Sequence, residues 1–448
     1  MKFRKIFAAA TAAAMCLTIS SCGGNGNEQV PETAAAETTA EGKKTIKMTV
    51  MGLSVDTNFQ MSINEFNSTS EEYEIEVTDR DANDLANVIN TLNLEIIAGN
   101  TPDIIQSTFL PIESYAEKGL LADYYDFIDN DPEMSREDFL ENVFKACEIN
   151  GGLYENITTF SIEALMGKAS VVGEMQGRTS DDFIDLAEKY PDKKFRDLPV
   201  SKSVVFDDFM HYGWQSYVDK ETGKCNFNSE KFIRILEFCY TFPKEYDYSY
   251  LNDPNWLRNA ADDMRNEKAL FTVLGRFVSD FYSLRQLEYN TLGEPPAIVG
   301  YPDAEGNGAL IQANGSYVIF EKSPVKEGAW EFIRNCYSDE YQKNIIFHSS
   351  VFPVKKSALE FAAEDAKKGF YLSYADEYSD EFGINTDEDN QRILDLINGA
   401  TCRVDNSENF VYNIIQEEAE MYFSGQRPVK ETVEIIQNRV QNYLDENR

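Results

Sequence analysis

Cys22 is the residue whose setting points most clearly to a chemical reaction. It follows a start with three basic residues in the first five, a short apolar stretch at 7–19 and two serines. This arrangement is a secretory signal peptide, too short and wrongly flanked to be a membrane span. Its end, Ile19-Ser20-Ser21-Cys22, looks like a bacterial lipobox, in which the cysteine is lipidated and becomes the mature N-terminus. The alternative is an ordinary signal peptidase cut nearby.

The sequence offers little material for catalysis. It has two histidines, His211 and His348, and none of the motifs GxSxG, HExxH, GxxxxGKS/T or GxGxxG. The acidic run at 129–131 lacks the glycine and glutamate of a calcium loop, so we expect a solvated helix start there. With 77 acidic residues, a carboxylate pair for glycoside hydrolysis stays open, although no motif selects two of them. We therefore expect neither a metal nor a cofactor.

Five cysteines remain in the body of the chain after the signal and the lipobox. They are Cys147, Cys225, Cys239, Cys336 and Cys402. Because their number is odd and no CxxC spacing occurs, a complete disulfide framework is excluded and a zinc site is not expected. Cys239 and Cys336 lie within helical apolar patterns, so we expect them to be buried thiols.

Polar residues follow a predicted buried strand at 102–105. Gln106 and Ser107 come directly after it, at the carboxyl end where open α/β sheets place ligands. Their side chains suit hydrogen bonds to hydroxyl groups, so we expect them to line a ligand site. Asp103, within the same motif, is expected to tie down the turn instead.

Two tryptophans and one glycine-serine pair are further candidates for ligand contact. Trp214 and Trp256 lie in polar, aromatic-rich stretches (HYGWQSY and DPNWLRN), where an exposed indole often serves recognition. A core role is equally open for both. Gly315 and Ser316 would let the backbone approach a ligand closely, and the alternative is a strand bulge. Trp330 has apolar neighbours on a predicted helix and is expected in the core.

The elements that must position these residues alternate between strand and helix. Residues 45–53 and 73–77 alternate as strands, 59–67 read as a helix, and 85–98 have helical apolar spacing. With the strand at 102–105, this succession is typical of an α/β fold with a largely parallel sheet. The last third is predicted to be helical, ending with the helix at 429–444. Capping residues mark further helix starts at Ser135, at Thr179 with Asp182, at Thr386 with Asp389, and at Ser323 with Pro324 in the first helical position.

Composition, length and net charge limit the possible domain organisation and the possible ligands. Residues 23–44 hold almost no apolar bulk, so they are predicted to form a flexible tether. About 400 residues remain, enough for two domains or lobes. The net charge is −36, and it becomes −39 once the three basic residues of the signal are removed. Such a charge repels phosphate backbones, so nucleic-acid binding is not expected.

Several segments in succession resemble one protein family. FNSTSEEYEIEV, LEIIAGNTPDII and YAEKGLLADYYDFID look like the amino-terminal lobe of extracellular solute-binding proteins of ABC importers, of the carbohydrate-binding family that includes maltose-binding protein. Later segments resemble the family in the same order, and the resemblance covers nearly the whole mature chain. These later segments lie at 161–165, 217–238, 266–277, 300–333 and 422–444.

The resemblance implies two α/β lobes of the type II periplasmic-binding-protein kind, each a mainly parallel sheet flanked by helices, with the ligand between the lobes. Crossings between the lobes are expected near 158–163, 295–299 and 340–350. The expected division is a signal peptide at 1–21, a tether at 22–44, an N-terminal lobe at 45–160 and 298–340, and a C-terminal lobe at 161–297 and 341–448.

The resemblance also singles out residues of the second lobe. Glu163 matches a segment that brings a carboxylate into the sugar site, where it would accept charge-assisted bonds from hydroxyls, and the alternative is a hinge salt bridge. Phe277 stands where the family commonly has a stacking tryptophan, which puts strong ring stacking in doubt. Arg276 beside it would then face the ligand, and its donors suit hydroxyls or a carboxylate.

The resulting hypothesis is a lipid-anchored extracellular solute-binding protein, not an enzyme. It would capture a carbohydrate, expected to be an oligosaccharide, by lobe closure and deliver it to the permease subunits of an ABC importer. We expect a monomer attached to the membrane only through Cys22. Two alternatives stay open: a surface-anchored carbohydrate-degrading enzyme, and the same fold binding a peptide or another polar solute.

Overall fold

The computed structural model describes residues 36–446 except for 41, 52–56, 81–84, 108–109, 174–176, 211–212, 220–221, 273–276, 315, 349–350, 369–384 and 405–409. Cys22, Arg276 and Gly315 therefore lie outside the described residues. Within these ranges, no helix combines the length and the apolar character that crossing a membrane requires.

Strands and helices alternate in the first third of the chain, and helices dominate the last. Up to residue 172 the elements are β1 (Lys44–Met51), α1 (Thr57–Thr69), β2 (Tyr73–Arg80), α2 (Leu85–Ala98), β3 (Ile104–Gln106), α3 (Ile112–Glu117), α4 (Tyr124–Asn130), α5 (Glu141–Ala146), β4 (Thr159–Glu163), β5 (Leu165–Lys168) and α6 (Ala169–Val172). Up to residue 300 they are α7 (Ser180–Lys189), β6 (Lys194–Arg196), α8 (Lys202–Met210), β7 (Val218–Asp219), β8 (Lys224–Cys225), α9 (Glu230–Tyr240), α10 (Trp256–Arg265), β9 (Ala269–Phe271), β10 (Phe277–Val278), α11 (Ser283–Gln286) and β11 (Pro296–Gly300). The rest are β12 (Leu310–Asn314), β13 (Tyr317–Ile319), α12 (Lys326–Cys336), α13 (Asp339–His348), β14 (Phe352–Pro353), α14 (Lys356–Ala366), α15 (Asp387–Gly399), β15 (Cys402–Arg403), α16 (Phe410–Phe423) and α17 (Val429–Glu446).

The first sheet has the strand order β13-β3-β1-β2, with β1 parallel to both of its neighbours. Successive side chains of a strand point to opposite faces, so the sheet buries apolar residues on both sides. Ile104 packs with Ile46 and Met48 in the first core, whereas Ile105 packs with α2 and α3 in a separate third core. This sheet, covered on both faces, confirms the predicted α/β fold.

A central sheet has the order β10-β4-β12-β15, and β14 also pairs with β4. β4 and β12 run antiparallel, with Glu163 opposite Leu310 at one end and Thr159 opposite Asn314 at the other. Because β13 follows β12 by only two residues and belongs to the first sheet, the central sheet is joined directly to it.

Beyond the central sheet, short strand pairs are surrounded by helices. β5 pairs with β11, and β6 runs parallel to β9. Side chains of α7, α8, α9, α16 and α17 pack on these strands in the second core, which is rich in phenylalanine. The parallel pair brings the carboxyl ends of β6 and β9 to one edge.

The packing bears on the predicted lobe division without settling it. Residues 298–300, assigned to the N-terminal lobe, pair with β5 as part of β11. α14 and α15, assigned to the C-terminal lobe, contribute to the first core together with β1. This core runs continuously from the first sheet across the central sheet to α11, α14 and α15. Its limits therefore do not mark a boundary between an N-terminal and a C-terminal lobe. The division stays a prediction.

Periodicity predicted the regular elements well. The strand at 45–53, the helix at 59–67 and the helix at 429–444 are observed within a few residues of those bounds, and α2 has the predicted bounds. Capping boxes stand at Ser135, Thr179 and Thr386 as predicted.

The predicted start of α12 needs correction. Ser323 was expected to cap a helix beginning at Pro324, but α12 begins at Lys326. The Ser323 hydroxyl donates instead to Asp103 Oδ1 (2.6 Å) and accepts from the backbone N–H of Val325 (3.2 Å). The serine therefore ties the first sheet to the approach of the helix.

The five described cysteines are free thiols. Cys239 and Cys336 are fully buried, as predicted, and burial raises the pKa of the Cys336 thiol to about 12. Trp330 is half-buried against the first core and stacks on Phe127, with 5.1 Å between ring centroids.

Candidate functional site

One face of the β4–β12 ladder is polar. Alternation along β4 puts Thr159, Ser161 and Glu163 on the same side of the strand. The register places Gln312 opposite Ser161 and Asn314 opposite Thr159, so both amides extend this side. We call these five residues the polar ladder. It presents hydroxyl, amide and carboxylate groups, which together can donate and accept hydrogen bonds.

The other face of the same ladder is apolar. Phe160 and Ile162 of β4, with Ile311 of β12, are fully buried in the first core. This packing holds the backbone of both strands rigidly, so the polar ladder stands on a fixed base. All three polar side chains of β4 are themselves buried, Glu163 with 4% of its surface exposed, while the two amides on β12 are half-buried.

A second polar group lies where β3 ends, as the sequence predicted for ligand contact. The backbone N–H of Ser107 donates to the carbonyl of Ser316 (3.0 Å), so these two predicted residues are neighbours. Asn156 lies beside them, because its backbone N–H donates to the carbonyl of Tyr317 (2.9 Å) and its Oδ1 accepts from the Tyr317 N–H. Gln106 is half-buried and pairs in register with Tyr317.

Three polar atoms of this group lack hydrogen-bond partners among the described residues. They are the hydroxyls of Ser107 and Ser316 and the side-chain nitrogen of Asn156, all buried. Most buried polar groups are hydrogen-bonded, so unpaired ones point to a missing partner such as a ligand atom. The sequence analysis missed Asn156; the available signal was a polar residue just ahead of the alternating segment TTFSIE.

Asp103 acts structurally, as expected. Its carboxylate accepts from the Lys47 backbone N–H (2.7 Å) and from the Ser323 hydroxyl (2.6 Å). Burial raises the pKa of this carboxyl group, and the two hydrogen bonds oppose that shift. These bonds fix the start of β3 and so position Ser107 at its end.

Gln342 anchors β4 at the edge that faces away from β12 and pairs with β14. The side chain is fully buried, and its Nε2 donates to the carbonyls of Thr158 and Cys336, each at 2.9 Å. Its Oε1 accepts from the backbone N–H groups of Val354 (3.1 Å) and Lys355 (3.2 Å). One amide thus joins α12, α13 and β14 to the strand that carries the polar ladder.

The remaining residues predicted from the family resemblance are only partly described. Phe277 pairs with Glu163 through the backbone register of β10 and β4, which places position 277 beside the end of the polar ladder. Its side chain lies outside the described part of the structure, as do Arg276 and Gly315. Their assignment to the site stays a prediction.

The carboxyl ends of β6 and β9 carry charged groups that the sequence analysis did not select. Arg196, at the end of β6, is buried and donates to both oxygens of Asp208 (2.7 and 2.6 Å). Its Nε has no partner within the described ranges. Next to it, Asp197 accepts from the hydroxyl of Thr272 (2.7 Å). No local motif marks this group, because Asp197 and Thr272 are 75 residues apart in the chain. The pairing of β6 with β9, with Arg196 opposite Phe271, brings them together.

The two tryptophans occupy different settings. Trp214 is half-buried in a 3-10 helix, Trp214–Tyr217, and packs against the second core. Trp256 begins α10 and is half-buried, with its ring edge-on to Tyr250 at 5.5 Å between centroids. Neither is placed beside the polar ladder by a described contact, so their role in ligand binding stays a prediction.

Two further observations concern other kinds of site. Among the described residues, no cluster of three or more histidine, cysteine or acidic side chains has the geometry for a metal ion. A cavity of about 290 Å³ lies between the loop at 306–309 and the C-terminal end of α15, and none of the predicted site residues lines it.

The comparisons with known proteins agree with this architecture. The family model described as bacterial extracellular solute-binding protein matches residues 62–369. A search of curated proteins found no match. Among solved structures, the sugar-binding protein MalE from Xanthomonas citri is 15% identical, with a TM-score of 0.58 over 90% of this chain and 98% of that one.

Two other solved structures show a similar fold. The cyclic alpha-maltosyl-1,6-maltose binding protein from Arthrobacter globiformis is 13% identical, with a TM-score of 0.53 over 90% of this chain and all of that one. An ABC substrate-binding protein from Listeria monocytogenes, in complex with cycloalternan, is 14% identical, with a TM-score of 0.52 over 90% and 99%. The predicted two-lobe fold is thus confirmed, and the chain belongs to the bacterial extracellular solute-binding protein family.

Proposed function

We propose that this protein captures a neutral oligosaccharide outside the cell and delivers it to the permease of an ABC importer. Family membership supports the role in solute capture. The structurally similar proteins support the ligand class: one is a sugar-binding protein, one a cyclic alpha-maltosyl-1,6-maltose binding protein, and one is in complex with cycloalternan. The same family membership supports delivery to a permease.

The polar ladder is the observation that carries the proposal. Hydroxyl groups of a sugar both donate and accept hydrogen bonds, and the ladder offers both kinds of partner from Ser161, Glu163 and Gln312 on a rigid base. An ionised carboxylate strengthens bonds from neutral hydroxyls. The net charge of −36 disfavours an anionic ligand such as a sugar phosphate. A neutral glycan fits both features.

The unpaired atoms at the end of β3 supply contacts from the first sheet. A glycan that bonds to Ser107 and Ser316 on that side, and to Glu163 on the central sheet, would bind a closed arrangement better than an open one. Only such a difference in affinity shifts the population toward closure. We therefore retain the division into lobes at 45–160 with 298–340, and 161–297 with 341–448, as part of the proposal.

A panel of neutral oligosaccharides tests the proposal. Purified protein is screened by thermal shift, and each hit is titrated by calorimetry and incubated for product analysis by chromatography. We expect at least one glycan to raise the melting temperature by mass action, to bind with one site per chain and to stay intact. Binding confined to peptides or other polar solutes would refute the carbohydrate assignment, and time-dependent cleavage of a bound glycan would favour an enzyme.

We also propose that a lipid on Cys22 holds the protein at the outer face of the cell membrane. The basic start, apolar stretch and lipobox-like end of the signal support this location. Cys22→Ala is expected to leave the protein unprocessed or to release it into the medium, because the modified sulfur is lost. Cell fractionation with immunoblotting measures both outcomes, and Ser21→Ala, which keeps the cysteine and a small residue before it, serves as the control. A Cys22→Ala protein that is fully processed and still membrane-bound would contradict the anchor.

A further inference from the structure

Four aromatic side chains, three between α9 and α10 and one at the first residue of α10, lie outside all three core clusters. They are Tyr246, Tyr248, Tyr250 and Trp256, and we call them the aromatic platform. Tyr248 exposes 66% of its surface, and the nearby Leu251 and Leu257 are exposed as well. Large apolar side chains gathered on a surface, rather than scattered singly, mark an interaction site.

The platform is a pre-organised arrangement of rings. The centroids of Tyr246 and Tyr248 are 4.5 Å apart, those of Tyr246 and Tyr250 6.3 Å, and those of Tyr250 and Trp256 5.5 Å. The hydroxyls of Tyr246 and Tyr250 are hydrogen-bonded at 3.1 Å. Since each ring contacts the next, little side-chain freedom remains to be lost when a ligand binds.

Short polar bonds hold the backbone under these rings. The Asp247 carboxylate accepts from the Ser249 N–H (2.9 Å), which caps the 3-10 helix Tyr248–Asn252. Asp253 accepts from the Asn255 N–H (2.8 Å) and from the Asn259 side chain (2.8 Å), just before and within α10. These carboxylates and amides, at 247, 253, 255 and 259, are exposed and lie within a few residues of the rings in the chain, and we call them the polar rim.

One ring of the platform, Tyr246, interacts with the carboxyl end of β6. Arg196 ends β6, and its charge acts on the Tyr246 hydroxyl, whose pKa burial raises to about 12. The carboxyl end of a parallel pair is where α/β folds bind ligands. Of the four rings, Tyr246 is therefore the one near the group formed by Arg196, Asp197 and Thr272.

We propose that the aromatic platform binds additional sugar units of an extended glycan and so makes the protein prefer longer chains. The proposal rests on the proposed function and extends it to a specificity for chain length. Apolar ring faces suit the C–H faces of sugars, and the carboxylate and amide rim suits their hydroxyls. A protein partner would need only an apolar surface, which the exposed leucines already provide. The combination of rings and hydrogen-bonding groups therefore favours a neutral glycan.

The test uses paired two-unit and six-unit members of four linear series: α-1,4-glucan, β-1,4-glucan, β-1,4-xylan and β-1,4-mannan. Calorimetry compares the parent protein with Tyr248→Ala, Trp256→Ala and Trp256→Phe. Phe410→Ala is the control, because Phe410 is also exposed and stacked on a ring, Tyr443, but lies on α16. Thermal melts check that each variant is folded.

We expect one series whose six-unit member binds the parent at least about tenfold more tightly than its two-unit member. Tyr248→Ala should remove most of this gain while leaving two-unit binding within about twofold. Trp256→Ala should also remove most of the gain, and Trp256→Phe should keep part of it, because a ring remains. The proposed role of the platform would be refuted, with the proposed function left intact, by either of two results. One is that both alanine variants still bind the six-unit glycan more tightly than the two-unit glycan to the same degree as the parent. The other is that a series binds the parent with equal affinity at both lengths. Loss of transport with unchanged glycan binding would point to a protein partner and would also overturn it. If no series binds, the proposed function fails and the platform's role fails with it.

Discussion

Alanine at position 163 is expected to weaken glycan binding by about 1–3 kcal/mol, or about 5- to 150-fold in Kd, with little change in melting temperature. Glu163 is the charged member of the polar ladder and lies where β4, β10 and β12 meet in register. Removing the carboxylate would leave ligand hydroxyls buried without a partner, and that loss appears in affinity.

The comparison of two substitutions separates charge from shape. Glu163→Gln keeps an acceptor oxygen of the same size but loses the charge, so we expect an affinity between those of the parent and Glu163→Ala. Glu65→Ala, on the exposed face of α1, is the control and should bind like the parent. Calorimetry with the glycan identified by the screen gives Kd, and thermal melts give stability. If Glu163→Ala binds like the parent but melts at a much lower temperature, Glu163 is a structural residue and not a ligand contact.

Local chemistry was enough to predict much of the fold. The apolar spacing of α2 gave its bounds because one helical face must meet the sheet. The Thr386 and Asp389 pair predicted the start of α15 because each side chain bonds to a backbone N–H of the other. Ser323 departed from the same rule: its hydroxyl oxygen accepts from the Val325 N–H, but the helix begins only at Lys326, and the hydroxyl hydrogen is donated to a distant carboxylate, Asp103.

The candidate site depends on contacts between distant segments, which is why the sequence revealed it only in part. β4 meets β12 about 150 residues later, and no local signal specifies that register. The strand end at Ser107 was recognisable, because a buried strand followed by polar residues is a local pattern. Asn156, Gln342 and Arg196 were not, because their partners lie on other elements.

The aromatic residues illustrate the same limit. Trp214 and Trp256 have similar local compositions, yet Trp214 packs on the second core and Trp256 joins a surface group of rings. Burial depends on which segments cover a side chain, and the sequence around each tryptophan does not encode this. The family resemblance supplied Glu163, and the register of the central sheet explains its position physically.

Ligand-induced compaction is the second large effect that this account predicts. A glycan held by Ser107 and Ser316 at the first sheet and by Glu163 on the central sheet is bonded most fully when the two sides approach each other. Binding should therefore shift the population toward a closed form and reduce the radius of gyration. The Glu163→Ala variant should show the same compaction only at proportionally higher glycan concentration, because its affinity is lower.

Small-angle X-ray scattering of the purified protein, with and without a glycan at a concentration that calorimetry shows to be saturating, tests the central claim most directly. The account predicts a smaller radius of gyration and a shorter maximum dimension when the glycan is bound. An identical scattering profile at full occupancy would contradict capture by closure of two lobes.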